Sequence, residues 1–471
     1  MAEPKTELME QVSSSHPQPG PRPARSIWVG GEGPAPLEAK NTDARPFATE
    51  THDQFTEVSP NYRGRHNAKR RKKKRNMKEN VPQKRLRGVD VARGIAFIGM
   101  VVIHTLPSYD RTTGEPTAAW SIFSGNASAL FALLAGVSLA FMTGGSNPYR
   151  GDKRVRALIS IATRSIILIV LGMSINMIGT ASGVYNILPY YGLLFFIAIP
   201  LTMLPVLGLI VVAIICIGAG PFAVYHAYQT GFEPLTGNPT LTDLMASPGD
   251  VAMILTLTGT YPAVTWAAYV CLGIAIGRLS LHRERTQVAV MITGLVVAVL
   301  SKIATYILLI RQDGLQQIMN ATEGLTREEL RSYQIFGAES YFPTTTYWWL
   351  ALDAPHTNTA FSIAFGAGLA MFVLGLVLIL SKYIMSWLGV FAAMGTMTLT
   401  LYSAHLVFVN LINVRENYVI YFIAQIVVAA VFAMAWAKFR GTGPLEFLVS
   451  KSSKAVGAAF VPERKDRSTR A

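Results

Sequence analysis

The sequence predicts an all-α, polytopic integral membrane helix bundle of about ten transmembrane helices. Three observations lead there. Of 471 residues, 51% are hydrophobic and only 15% are charged, where a soluble globular protein carries roughly 25% charged residues. Apolar stretches of roughly twenty residues recur between short polar loops, the length that a helix needs to cross a bilayer core. The net charge of +14 is concentrated in the tails and short loops, and membrane topology explains that distribution better than nucleic-acid binding does.

Residues 1–84 are rich in Pro, Ser, Gly and charge and lack apolar periodicity, so they are expected to form a disordered cytoplasmic tail. The tail ends in Lys69, Arg70, Arg71, Lys72, Lys73, Lys74 and Arg75, a run placed to hold the N-terminus in the cytoplasm and to touch anionic membrane lipid. No cleavable signal peptide is expected, because the first apolar run follows this long polar tail. The transmembrane bundle is expected over 85–440, with spans near 89–107, 119–142, 157–178, 187–204, 206–226, 262–279, 287–310, 357–380, 389–412 and 418–437. Segment 251–259 is too short to span and is read as dipping into the outer face. A basic cytoplasmic tail over 441–471 closes the chain.

With the N-terminus inside, the inner loops carry Arg150, Lys153, Arg154 and Arg156, then Arg278, Arg283 and Arg285, then Lys382. Asp110, Glu115, Asp243, Asp250, Glu323, Glu328, Glu329 and Asp353 fall outside. Basic residues inside fix the orientation and bring both termini to the cytoplasm. Cys216 and Cys271 both lie in apolar segments. No disulfide framework or metal-ligand spacing exists, and both read as small buried hydrophobes.

Ionisable residues within spans mark function by default, since hydrocarbon tolerates them only at a cost. In VDVARGIAFIGMVVIHTLP, Asp90, Arg93, Phe97, Val101 and His104 share one helical face. Asp90 and His104 then stand about 21 Å apart along the axis. Two layers follow: Asp90, Arg93 and Arg164 with other arginines on the inner side; His104, Asn126, Tyr190, Tyr191, His356, Tyr402 and His405 on the outer side. Arg93 reads equally as half of an ion pair with Asp90 or as a phosphate contact. Arg156 and Arg278 read as topology determinants, and Tyr190 with Tyr191 as interfacial aromatics or site residues. The small residues of the second span, from Gly125 to Gly136, read as a close-packing surface.

The blocks RLRGVDVARGIAFIGMVVIH, FSGNASALFALLAGVSLAF and TYPAVTWAAYVCLGIAIGRL resemble the heparan-α-glucosaminide N-acetyltransferase catalytic domain as found in bacterial proteins. MGTMTLTLYSAHLVFVN and GTGPLEFLV resemble the C-terminal domain of YeiB-type bacterial membrane proteins, so the likeness runs from about 85 to 450. PYYGLLFF and PHTNTAF resemble versions common in actinobacterial members. The resemblance implies a transmembrane acyltransferase in the bacterial plasma membrane, using acetyl-CoA or another acyl-CoA as donor substrate, with no tightly bound cofactor. It departs at one point. The lysosomal enzyme has an asparagine where His104 stands and a functional histidine in the following loop, and residues 108–119 here contain none.

The first functional expectation is therefore transfer of an acyl group, acetyl foremost, from a cytoplasmic acyl-CoA to an outward-facing cell-envelope glycan or glycolipid acceptor. His104 is the expected base, with Asn126, Tyr190, His356 and His405 beside it in one cavity. Asp90, Arg93 and Arg164 are expected at the donor end. A transporter or flippase of an envelope lipid or small solute is the alternative, with the same charges lining a pathway. A scaffold for envelope enzymes that uses the basic tail is a third.

Overall fold

The structure, a computed structural model, describes residues 85–179, 183–231, 237–337, 343–412 and 416–462. The expected tail over 1–84 and the final residues 463–471 lie outside the described residues. Twelve principal helices carry the architecture: α1 (Arg87–Thr105), α2 (Asn126–Met142), α3 (Gly151–Asn176), α4 (Leu188–Leu201), α5 (Val206–Gly218), α6 (Ala263–Gly277), α7 (Glu284–Tyr306), α8 (Ala360–Leu380), α9 (Met385–Gly395), α10 (Thr398–Leu411), α11 (Tyr418–Phe439) and α12 (Pro444–Phe460). Among the described residues there is no β-strand, only an isolated bridge between Tyr109 and Pro116.

Among the described residues, seven helices are long and apolar enough to cross a membrane, and up to nine if each of two bent pairs is one span. The pairs are Pro248–Thr258 with α6, bent by 57°, and α9 with α10, bent by 66°. Segment 251–259 thus enters α6 through a sharp bend, the geometry of a broken span or of a re-entrant segment such as the sequence predicts. The fourth expected span is the exception. α4 has only 14 residues, about 21 Å of helix against a hydrocarbon core of about 30 Å. Pro200 closes its last turn, and Pro205 caps the next helix. α4 nonetheless runs back antiparallel along α3. A Cβ on Gly172 would meet Leu188 and Pro189, and Ser165 donates to the carbonyl of Gly192.

α1 is the hub of the bundle, packed against α2, α8, α9, α10 and α11. Glycines permit these approaches. A Cβ on Gly94 would strike the backbone of Phe391 on α9, and one on Gly395 would strike the carbonyl of Asp90. α2 crosses α6 through Gly136 and Gly273, whose Cα atoms lie 2.9 Å from where the other's Cβ would be. The small residues of the second span therefore do pack backbone against backbone.

Within the region assigned to the C-terminal tail, 444–460 form α12, which packs along α3 and touches α10. Its Glu446 accepts hydrogen bonds from the amides of Leu399 (2.6 Å) and Thr400 (3.2 Å) and from the Thr400 hydroxyl (2.6 Å). A carboxylate thus caps the α10 N-terminus at the break between α9 and α10, where free N–H groups and the helix dipole favour negative charge.

Candidate active site

His104 lies in the last turn of α1 and meets His405 of α10. The rings stack with centroids 5.1 Å apart, and Nδ1 of His104 lies 2.9 Å from Nε2 of His405. His405 Nδ1 lies 2.6 Å from Oε1 of Gln425 on α11. The amide of Gln425 is oriented by its Nε2, which donates to the carbonyl of Tyr421 at 3.2 Å and to the Thr105 hydroxyl at 3.3 Å. A carbonyl only accepts, so Oε1 must face the histidine and His405 Nδ1 must carry the proton. The neutral His405 then accepts at Nε2, and His104 donates from Nδ1. The relay leaves a lone pair on His104 Nε2, the form that a general base needs. Tyr402 lies alongside, its ring 6.2 Å from His104 and its hydroxyl at 3.5 Å from the Ile187 amide.

Asn126 and His356 fall into a second group. They line a cavity of about 370 Å³ together with Trp120, Trp266, Tyr269, Lys302 and Asp353. Asn126 donates from Nδ2 to the carbonyl of Ile122 at 2.9 Å. The loop that presents His356 is held in an unusual backbone form, with φ of 59° at His356 and 55° at Asn358. Left-handed non-glycine residues cost about 1–3 kcal/mol each and persist where the surroundings fix them. Here Asn358 accepts from Trp266 Nε1 at 2.7 Å and donates to the carbonyls of His356 (3.1 Å) and Thr260 (3.3 Å). Thr359 then caps α8 by accepting from the Ser362 amide. Burial pushes the His356 imidazole down to about 4, and its Nδ1 has no hydrogen-bond partner.

Tyr190 joins neither group directly. It packs edge-on to Tyr261 at 5.4 Å, and Tyr261 in turn packs edge-on to His356 at 5.5 Å and to Trp266 at 4.8 Å. The expected gathering of five residues in one cavity thus divides in two. His104 and His405 form one pair, while Asn126 and His356 line the cavity with Tyr190 behind them. The physical reason is helix phase: His104 faces α10, whereas Asn126 opens the first turn of α2 toward the 353–358 loop.

At the other end of α1, Asp90 accepts from Arg85 Nε at 2.7 Å and from Arg93 Nη1 at 3.0 Å. Arg93 Nη2 also donates to Ser138 of α2 at 2.5 Å. This is the ion-pair reading of Arg93, with its fork spent inside the bundle. Arg164 stands apart on α3, its Nε buried without a hydrogen-bond partner.

The polar residues Gln425, Lys302 and Asp353 are among those that sequence reasoning did not assign to a site. Gln425 was legible only as a lone amide in the apolar α11. Lys302 and Asp353, paired at 2.7 Å across the cavity, come from segments that only the fold brings together. Among the described residues, no group of His, Cys, Asp or Glu is gathered that could hold a metal ion. Residues 85–312 match the family described as heparan-alpha-glucosaminide N-acetyltransferase, catalytic. The match takes in Asp90, Arg93, His104, Asn126, Arg164 and Tyr190. It stops short of His356, His405 and the segments that resemble YeiB-type proteins. No curated protein matches the chain.

Proposed function

We propose, from the premise that residues 85–312 match the heparan-alpha-glucosaminide N-acetyltransferase catalytic family, that the chain is a membrane-embedded acyltransferase. It moves an acyl group, acetyl foremost, from a cytoplasmic acyl-CoA to an outward-facing glycan or glycolipid of the cell envelope. The observation that carries this reading is the relay Gln425–His405–His104, which leaves His104 Nε2 free to accept a proton.

In the reaction, the acceptor amine or hydroxyl gives its proton to His104 Nε2 as its nitrogen or oxygen bonds to the thioester carbonyl carbon. The tetrahedral intermediate collapses with loss of the CoA thiolate, which takes up the proton. His405 holds the ring of His104 in the productive tautomer, as the orienting member of a nucleophile–base–orienter chain does. Asn126, His356 and the faces of Trp120 and Trp266 suit the cavity to a sugar ring, offering polar groups to hydroxyls and flat carbon surfaces to the ring. Tyr190 supports this wall through Tyr261. Asp90 and Arg93 brace the donor end, and Arg164, whose Nε has no hydrogen-bond partner, offers a donor there.

The test is acyl transfer by purified protein in liposomes, using radiolabelled acetyl-CoA and an amine- or hydroxyl-bearing glycolipid extract. His104→Ala is expected to lower the rate by about 10²–10⁴-fold. A folded His104→Ala protein with full activity overturns the assignment. Solute counterflow without loss of thioester transfers the same residues to the carrier reading.

A further inference from the structure

The end of the bundle opposite the His104 relay holds a second cavity, of about 270 Å³, lined by Arg150, Arg154 and Arg278 with Tyr149, Thr143 and Thr202. It forms where α2 ends, α3 begins, and α4 and α6 terminate. These are the chain turns whose arginines the sequence places in the inner basic layer and reads as topology determinants. Three guanidinium groups line it and no carboxylate does. The nearest acid in sequence, Asp152, is exposed in the first turn of α3 and does not line the cavity. Among the described residues, none of the three arginines stands in a salt bridge.

Their hydrogen bonding is incomplete as well. Arg278 donates from Nη2 to the carbonyl of Thr202, which ties the end of α6 to the end of α4. Its Nε is buried with no partner. Like charges crowded on one wall repel each other, and a buried guanidinium donor left unpaired carries a desolvation cost. An anion with several acceptor oxygens relieves both. A phosphate answers best, because its tetrahedral oxygens match the guanidinium fork and its charge can be shared among several arginines.

We propose that this cavity is a phosphate-binding site, taking a phosphate ester of a nucleotide thioester or of an anionic lipid headgroup. The nucleotide source rests on the acyltransferase reading, for which the site would hold the donor about one helix length from the relay. The lipid source does not rest on it.

The experiment uses full-length protein in nanodiscs of phosphatidylcholine. CoA and dephospho-CoA are titrated by calorimetry in one arm. In the other, phosphatidylglycerol is added and its retention through purification is weighed by native mass spectrometry. The variants are Arg154→Gln with Arg278→Gln. The pair Arg150→Gln and Arg154→Gln, which leaves the Arg278–Thr202 bond intact, guards against misfolding.

The expected result is at least about a tenfold rise in Kd for CoA in the variants, with affinity falling as salt rises. A smaller change for dephospho-CoA identifies the nucleotide source. Variant-sensitive retention of phosphatidylglycerol identifies the lipid source. Binding in both arms that is equal for wild type and both variant pairs overturns the site. If the variants lose phosphate binding while no acyl transfer occurs with any acyl-CoA, the site stands and the enzymatic reading falls. If transfer proceeds in the variants with unchanged KM for acyl-CoA, the nucleotide source falls and the enzyme stands.

Discussion

Gln425 shows how a single amide can set the tautomer of a distant histidine. Its Nε2 is fixed by the Tyr421 carbonyl, its Oε1 therefore accepts from His405, and the proton positions along the relay follow. Gln425→Leu removes the acceptor and frees His405 to take the other tautomer. The expected outcome in steady-state transfer assays is a fall in kcat of about 10–100-fold with little change in KM, the scale seen when the partner of a functional histidine is lost. Gln425→Glu, which still accepts from His405, should recover most of the rate, and a merely structural role for Gln425 would not give that rescue. At this scale the sequence is uneven in what it discloses. His104 and His405 stand out because imidazole within an apolar span is costly without a partner. Nothing local states that they are each other's partner across 301 positions. Asn126 and His356 carry similar polarity and go elsewhere, because residue type does not encode helix phase at a distance.

At the level of the elements, small residues determine how near the helices come. The α2–α6 crossing depends on Gly136 and Gly273, since a Cβ at Gly273 would meet the Leu133 backbone as well as Gly136. Gly273→Leu is expected to destabilise the bundle by about 1–3 kcal/mol through overpacking, read as a lower melting midpoint in detergent. Gly389→Leu on α9, where a Cβ meets nothing within 4 Å, should melt like the wild type. Apolar length and the small-residue stripe were both legible, because hydropathy and side-chain size act locally. The breaks were not. The 57° and 66° bends lie between segments of continuous apolar character. The cap that stabilises the second bend comes from Glu446, 46 positions beyond Thr400.

Across the whole molecule, the two cavities and the two ends of α1 define an axis. One end holds the imidazoles, the aromatic cavity and the acidic loop residues Asp110 and Glu115; the other holds Arg150, Arg154 and Arg278. By the positive-inside rule, the arginine end is the one expected in the cytoplasm. With Cys216 and Cys271 replaced by serine, Thr113→Cys should react with an impermeant maleimide on intact cells. Asn147→Cys should react only after permeabilisation. Both positions are exposed, so the reversed result would invert the assigned orientation. α12 also bears on the count of crossings. Gly457 lies against the backbone of Arg156, at 3.1 Å for a built Cβ, so α12 lies at the arginine end. α1 begins at that same end, so the described path requires an even number of traverses, and counting the short α4 with the nine apolar spans would meet that requirement.

The central position of α1 also dictates an order of events during synthesis. This helix is the first of the described ones to leave the ribosome, yet α8, α9, α10 and α11, four of its five neighbours, are encoded more than 250 residues later. Its charged end is provided for at once, because Arg93 neutralises Asp90 from one turn away. Its imidazole end must wait for His405 and for the Gln425 that reaches Thr105, 320 positions downstream. Closing contacts over such separations is slow. A chain released before α11 would insert in the bilayer with a sound first helix and an unassembled relay. Co-expressing the missing C-terminal helices as a separate piece would then be the direct way to restore it.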